Sequence, residues 1–181
     1  NTNFGSSVSI ENNTLAVGAF EDKSKQTTIT NGSTAATDNT ATIGAVFVYT
    51  RDDTSSWSQQ AYIKPANASG GYGAYYGYSV SLDENTLAVA AMGDPSSQTT
   101  ITNGTSASSD TSKPSAGAVF VYTRSGTDWS QQAYIKASNS DQGDHFGYSV
   151  SLDKNTLAVG AHQESSRQKT ITNGTSSSSE N

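Results

Sequence analysis

Short apolar runs alternate with polar turns along the chain, and no stretch carries a helical period. The clearest run is Gly77-Tyr78-Ser79-Val80-Ser81-Leu82, which alternates with period two. It places Tyr78, Val80 and Leu82 on one face and Ser79 and Ser81 on the other. Asp83-Glu84-Asn85 reads as a tight turn, because Asp and Asn tolerate the left-handed backbone that hairpins require. Thr86-Leu87-Ala88-Val89-Ala90 is then a second strand of alternating large and small residues. Gly117 to Thr123 is a third strand, apolar on both faces and so expected to be covered on both. Trp129 to Lys136 is a fourth.

This set of segments recurs. The run from Phe4 returns at Tyr76 and at Phe146; GAVFVYTR begins at Gly44 and Gly117, and WSQQAYIK at Trp57 and Trp129. A unit of about 70 residues therefore runs twice and stops partway through a third copy, which marks a repeat architecture. The units are 1–72, with an insert at about 21–42; 73–145, with an insert at about 93–116; and the partial unit 146–181. Four short antiparallel strands per unit, with small residues facing one way and large ones the other, predict an all-β fold of tandem β-propeller blades. A β-solenoid coil is much shorter than this unit, and a sandwich needs about seven strands per domain. In a propeller the large positions Tyr78, Leu82, Leu87 and Val89 would fill the space between sheets. Ser79, Ser81, Ala88 and Ala90 would permit close approach.

The motifs resemble the FG-GAP repeat, the blade unit of integrin α-type propellers and of many bacterial surface proteins. Phe4-Gly5, Tyr76-Gly77 and Phe146-Gly147 match the first element. Gly18-Ala19, Ala90-Ala91 and Gly160-Ala161 match the second, with Phe20, Met92 and His162 in place of its proline. The resemblance implies a non-enzymatic adhesion or recognition module, extracellular or at a cell surface, with a protein or glycan ligand. Blades of this kind that bind calcium carry an acidic loop between the first two strands. Here that loop is reduced to Glu11-Asn12-Asn13, Asp83-Glu84-Asn85 and Asp153-Lys154-Asn155, too few oxygens for a calcium shell, so the chain resembles a short-loop bacterial branch and neither metal nor cofactor is expected.

Composition narrows the function classes. A net charge of −6 offers no basic stripe for a nucleic acid, and no run reaches the roughly 18 apolar residues of a membrane helix. With two His, no Cys and no spaced nucleophile motif, a catalytic site has little material, and none is assigned. Asp141, Asp144 and His145 cluster before Phe146, but the equivalent stretch before Tyr76 has no acid, so they read as a solvated loop, and His162 as a loop residue at a blade rim. The inserts repeat Gln-Thr-Thr-Ile-Thr-Asn-Gly from Gln26 and Gln98, and nearly so from Gln168. The β-propensity of the threonines and the Asn-Gly turn predict a small β-excursion from one rim, on the side where recognition loops sit. Asn31, Asn103 and Asn173 open N-glycosylation triplets there, and Asn12 and Asn67 open two more.

The third unit has first and second strands without third and fourth partners, which leaves an open edge at Leu157, Ala158 and Val159. The chain opens on Asn1 with no initiator Met, as a mature form or a piece of something longer would. Either it belongs to a longer propeller, or another copy or segment completes the pairing. The second case would make it a structural subunit of a surface filament or matrix.

Overall fold

The computed structural model describes residues 2–67 and 73–174. Among them every regular element is a strand. Blade 1 holds β1 (Phe4–Glu11), β2 (Thr14–Ala19), β3 (Thr30–Asn31), β4 (Ala45–Arg51) and β5 (Trp57–Ile63). Blade 2 holds β6 (Tyr76–Asp83), β7 (Thr86–Ala91), β8 (Thr102–Asn103), β9 (Ala118–Ser125) and β10 (Asp128–Ile135). A half-blade follows, β11 (Phe146–Asp153) and β12 (Thr156–Ala161). The sheets are antiparallel, ordered β1-β2-β4-β5-β3, β6-β7-β9-β10-β8 and β11-β12. This is the architecture of β-propeller blades.

The fifth strand of each full sheet comes from the insert. Thr30–Asn31 pairs with Tyr62 and Ala61 on the free side of β5, and Thr102–Asn103 repeats this on β10. The insert therefore folds back along the outer edge of its own blade instead of projecting from a rim as a hairpin. An open β5 edge would leave N–H and C=O groups unpaired, and closing that edge outweighs the local turn preference of Asn-Gly. Gly32 still turns the chain, at φ +108°, and its N–H donates to the Gln60 carbonyl at 2.6 Å.

The hairpins between first and second strands are two-residue turns, Asn12-Asn13, Glu84-Asn85 and Lys154-Asn155. The left-handed residue is the first of each pair, so Glu84 (φ +50°) and Lys154 (φ +52°) carry the strain, not the asparagine that follows.

One side-chain assignment shifts. The pairing of β6 is irregular between Tyr76 and Val80, where Gly77 has φ +86°. The bulge turns Tyr78 off the blade face and leaves Tyr76, Val80 and Leu82 to fill the space between sheets. One apolar cluster results, running from Ala16, Val46, Val48 and Ile63 of blade 1 to Val80, Leu87, Phe120, Tyr122 and Trp129 of blade 2. The third strand of blade 2 is buried from Ala118 to Tyr122. That of blade 1 is less so: Val46 and Val48 are fully buried but Phe47 is half-buried, because among the described residues no blade covers its side of the sheet.

The two halves of the repeated motif explain each other across the blade boundary. A Cβ on Gly18 would stand 2.1 Å from the carbonyl oxygen of Gly77, so the glycine that ends one blade's second strand receives the glycine that begins the next blade. Serine hydroxyls complete the seam. Ser7 Oγ donates to the Gly77 carbonyl (2.8 Å), and Ser9 Oγ accepts the Leu82 N–H (2.9 Å). Ser79 Oγ and Ser81 Oγ likewise accept from Val150 and Leu152 of the half-blade (3.2 and 2.9 Å).

Candidate functional site

Each blade begins on a left-handed residue before its Phe-Gly or Tyr-Gly pair: Asn3, Tyr75 and His145, with φ between 49° and 55°. That backbone kink, the bulge after it and the end of the second strand lie on one rim. There the sequence has placed rings. Phe20 packs edge-on against Tyr75 (5.7 Å between centroids) and Tyr78 (5.5 Å). Tyr78 meets Tyr148 at 5.6 Å, Tyr148 meets His162 at 4.0 Å, and His162 meets His145 at 5.2 Å. Six rings from three blades thus form an unbroken row, with Tyr148 41% exposed and His162 open to solvent.

Polar groups flank the His end of the row. Asp144 is buried, not solvated as the sequence suggested, and accepts the Asp141 N–H at 2.8 Å. Burial holds the Asp144 carboxyl above the ordinary carboxylate value, and the charges of Asp141 and Glu164 add to this. Lys113 Nζ lies 2.6 Å from Asp141 and bonds the Ser140 carbonyl. Glu164 accepts from Asn139 Nδ2 at 2.9 Å and from the Ser166 N–H at 2.9 Å. Among the described residues no three His, Cys, Asp or Glu side chains are grouped to hold a metal ion.

A second recurring constellation ties the inserts down. Asp22 Oδ1 accepts from Tyr62 Oη (2.7 Å), from Lys64 Nζ (3.1 Å) and from the Ser24 N–H (3.1 Å). Lys64 Nζ also donates to the Gly44 carbonyl at 2.6 Å. Blade 2 repeats the clasp with Asp94, Tyr134, Lys136, Ser96 and Gly117. The lysine side chains are fully buried, and burial lowers their amine pKa, opposed by the paired carboxylate. The groups sit inside the blade, so the clasp is structural: it joins the start of the insert to its end and to the outer strand. The recurrence of Asp22 and Asp94 after the second strand, and of Lys64 and Lys136 at the end of the fourth, was the available signal. The rim row left only a broken signal: Phe20 and His162 share one repeat position and Tyr78 and Tyr148 another, but Met92 and Ser6 interrupt them in the remaining copies.

The asparagines of the glycosylation triplets fall in different settings. Asn31, Asn103, Asn173 and Asn12 are exposed, although Asn31 Oδ1 accepts the Trp129 N–H at 3.0 Å. Asn67 is half-buried with its Nδ2 hydrogens on Asp94 Oδ2 and the Ser108 carbonyl. Ala68 and Ser69 of its triplet, and Thr175 of the Asn173 triplet, lie outside the described residues. The family-motif residues lie at the seams: Ala19 and Tyr76 are fully buried, Gly147 is buried, and Phe146, Gly160 and Ala161 are half-buried. Phe4 is 53% exposed beside exposed Gly5.

No curated protein matches the chain. A family model described as FG-GAP repeat matches residues 1–49 and 129–178, more than half of the sequence. The chain belongs to the FG-GAP repeat family.

Proposed function

We propose that the chain is a non-enzymatic recognition module acting outside the cell or at its surface, which engages a protein or glycan ligand through the aromatic rim. FG-GAP repeats build propeller-type recognition modules, are generally non-enzymatic and are typically extracellular. No helix among the described residues is long and apolar enough to cross a membrane. The observation that carries the reading is the row from Phe20 to His145. Tyr78 and Tyr148 stand on β6 and β11 and the other four rings flank strand ends packed against them, and aromatic surface held in this way loses little entropy when a ligand covers it. The two-residue hairpin turns leave no loop for calcium, which supports a short-loop, metal-independent module.

A glycan array and a panel of immobilised surface proteins, probed with the labelled chain, test this. Binding that falls at least about tenfold in the Tyr148→Ala/His162→Ala variant supports the rim reading, since that corresponds to about 1.4 kcal/mol. Binding that is unchanged in the variant overturns it.

A further inference from the structure

The two clasps hold buried amines and carboxylates that the aromatic rim does not use. Lys64 Nζ lies 3.1 Å from Asp22 Oδ1 and Lys136 Nζ 3.3 Å from Asp94 Oδ1, with both lysine side chains fully closed to solvent. Each pair lies within one full blade, between the start of its insert and the end of its fourth strand. A charged pair is costly there, because both ions have left water.

Among the described residues two acceptors, the Asp22 carboxylate and the Gly44 carbonyl, meet the three hydrogens of the Lys64 ammonium. Lys136 has the same two, from Asp94 and Gly117. The contacts fit a secondary amide better. Its single N–H keeps the bond to the Gly44 carbonyl. Its oxygen, the present Oδ1, keeps both donors, Tyr62 Oη at 2.7 Å and the Ser24 N–H at 3.1 Å. Tyr134 Oη and the Ser96 N–H hold the same places on Asp94, at 2.8 and 3.1 Å.

We propose that Lys64 and Asp22, and likewise Lys136 and Asp94, condense within the folded chain to form isopeptide bonds. The ammonium passes one proton to the carboxylate, and the freed amine attacks Cγ, so that an Nζ–Cγ bond forms. The Cγ–Oδ2 bond breaks, and Oδ2 leaves as water with two of the three ammonium hydrogens. No oxidant, reductant or activating group is consumed. Burial prepares the amine, since it favours the neutral form over the ammonium. Tyr62 Oη and the Ser24 N–H donate to Oδ1, where negative charge gathers during the attack. In blade 2, Asn67 Nδ2 adds a donor to the leaving Oδ2 of Asp94, at 3.1 Å. The fold supplies the remaining requirement by holding nucleophile and carboxyl side by side. The bond fastens each insert covalently in a chain that has no cysteine for a disulfide. It is independent of the rim and of any ligand there.

Intact-mass spectrometry of the folded chain, denatured just before measurement, tests the proposal. The mass is expected to fall short of the sequence value by two waters, one per blade. A tryptic digest is expected to contain one peptide pair joined through Asp22 and Lys64 and another through Asp94 and Lys136. Lys64→Met is expected to lose one water only, and Lys64→Met/Lys136→Met none. The joined peptides of the native chain decide the matter even where a variant fails to fold. After refolding, Tyr62→Phe is expected to link blade 1 at least about tenfold more slowly than blade 2 of the same molecule; equal rates would overturn the part given to Tyr62. A native chain that keeps its full mass after prolonged incubation in the folded state overturns the proposal. So does a digest free of joined peptides, or a loss of water that hydroxylamine reverses, which marks a cyclic imide at an aspartate instead.

Discussion

The backbone of Gly117 runs so close to that of Phe146 that a Cβ on the glycine would stand 2.1 Å from the Phe146 carbonyl oxygen. The two residues form a parallel bridge between blade 2 and the half-blade, and Gly44 and Tyr76 form the same bridge one blade earlier. Gly117 also has φ +87°. Gly117→Ala is therefore expected to destabilise by more than about 3 kcal/mol, combining backbone strain with displacement of the neighbouring blade. Gly126, at φ +63° with open space around it, is the control: Gly126→Ala should lose only about 1 kcal/mol in a denaturant melt. Equal losses at the two sites would mean that strain alone acts at Gly117.

Phe120 and Phe47 occupy the same strand position in successive blades, yet only Phe120 is fully buried, among Tyr76, Tyr122 and Tyr134. Phe120→Ala should cost about 3–5 kcal/mol through lost transfer and cavity terms, and Phe47→Ala no more than about half of that. Chemical denaturation of both variants checks the ratio.

Glu84 occupies a left-handed turn position that Asn12 fills in blade 1. Glu84→Asn keeps the Glu84 carbonyl, removes a poorly tolerated side chain from that conformation and should stabilise by about 1 kcal/mol. The expected rise in Tm is about 2–4 °C for a chain of this size.

The hydroxyls of Tyr62, Tyr76, Tyr122 and Tyr134 are held well above the ordinary tyrosine pKa by burial, with the Asp22 and Asp94 carboxylates adding to the effect at Tyr62 and Tyr134. The folded state keeps these protons where the unfolded chain releases them. Their contribution to stability is complete below the ordinary value of 10.0 and is lost as pH rises beyond it. Tyrosinate absorbance should show these four of the nine tyrosines silent through pH 10 and ionising together at alkaline unfolding. Smooth titration of all nine, with the fold intact, would contradict their burial.

Period two and the internal repeat made the strands, their order and the blade architecture legible, because alternation is imposed by the pleat and recurrence by stacking. What they did not reveal is where the period breaks. The bulge at Gly77 moves Tyr78 from the seam to the rim, the matching irregularity in β11 does the same for Tyr148, and these two rings join the row. The edge pairing of Thr30–Asn31 was hidden for another reason: it answers the unpaired side of β5, a need visible only once the sheet exists. Asp144 looked solvated because its acceptor role is filled by the backbone of Asp141, which carries no sequence signal.

The clasp at Asp22 has a consequence for how such a blade can change over generations. The Asp22 carbonyl takes the N–H groups of Ile43 and Gly44, while its carboxylate holds Lys64, so the two ends of the insert are fastened at one point and β3 is its further hold on the blade. Asp94 with Gly117 and Lys136 does the same in blade 2. Gln59 of β5 still holds the Thr34 carbonyl, and Asp38 is bonded to Ser24 and Lys25, so the room for added residues lies between Thr34 and Asp38; doubling a flexible loop costs only about 0.6 kcal/mol in closure entropy. The blade is thus a socket with a fixed mouth, into which selection can fit new loops without renegotiating the fold.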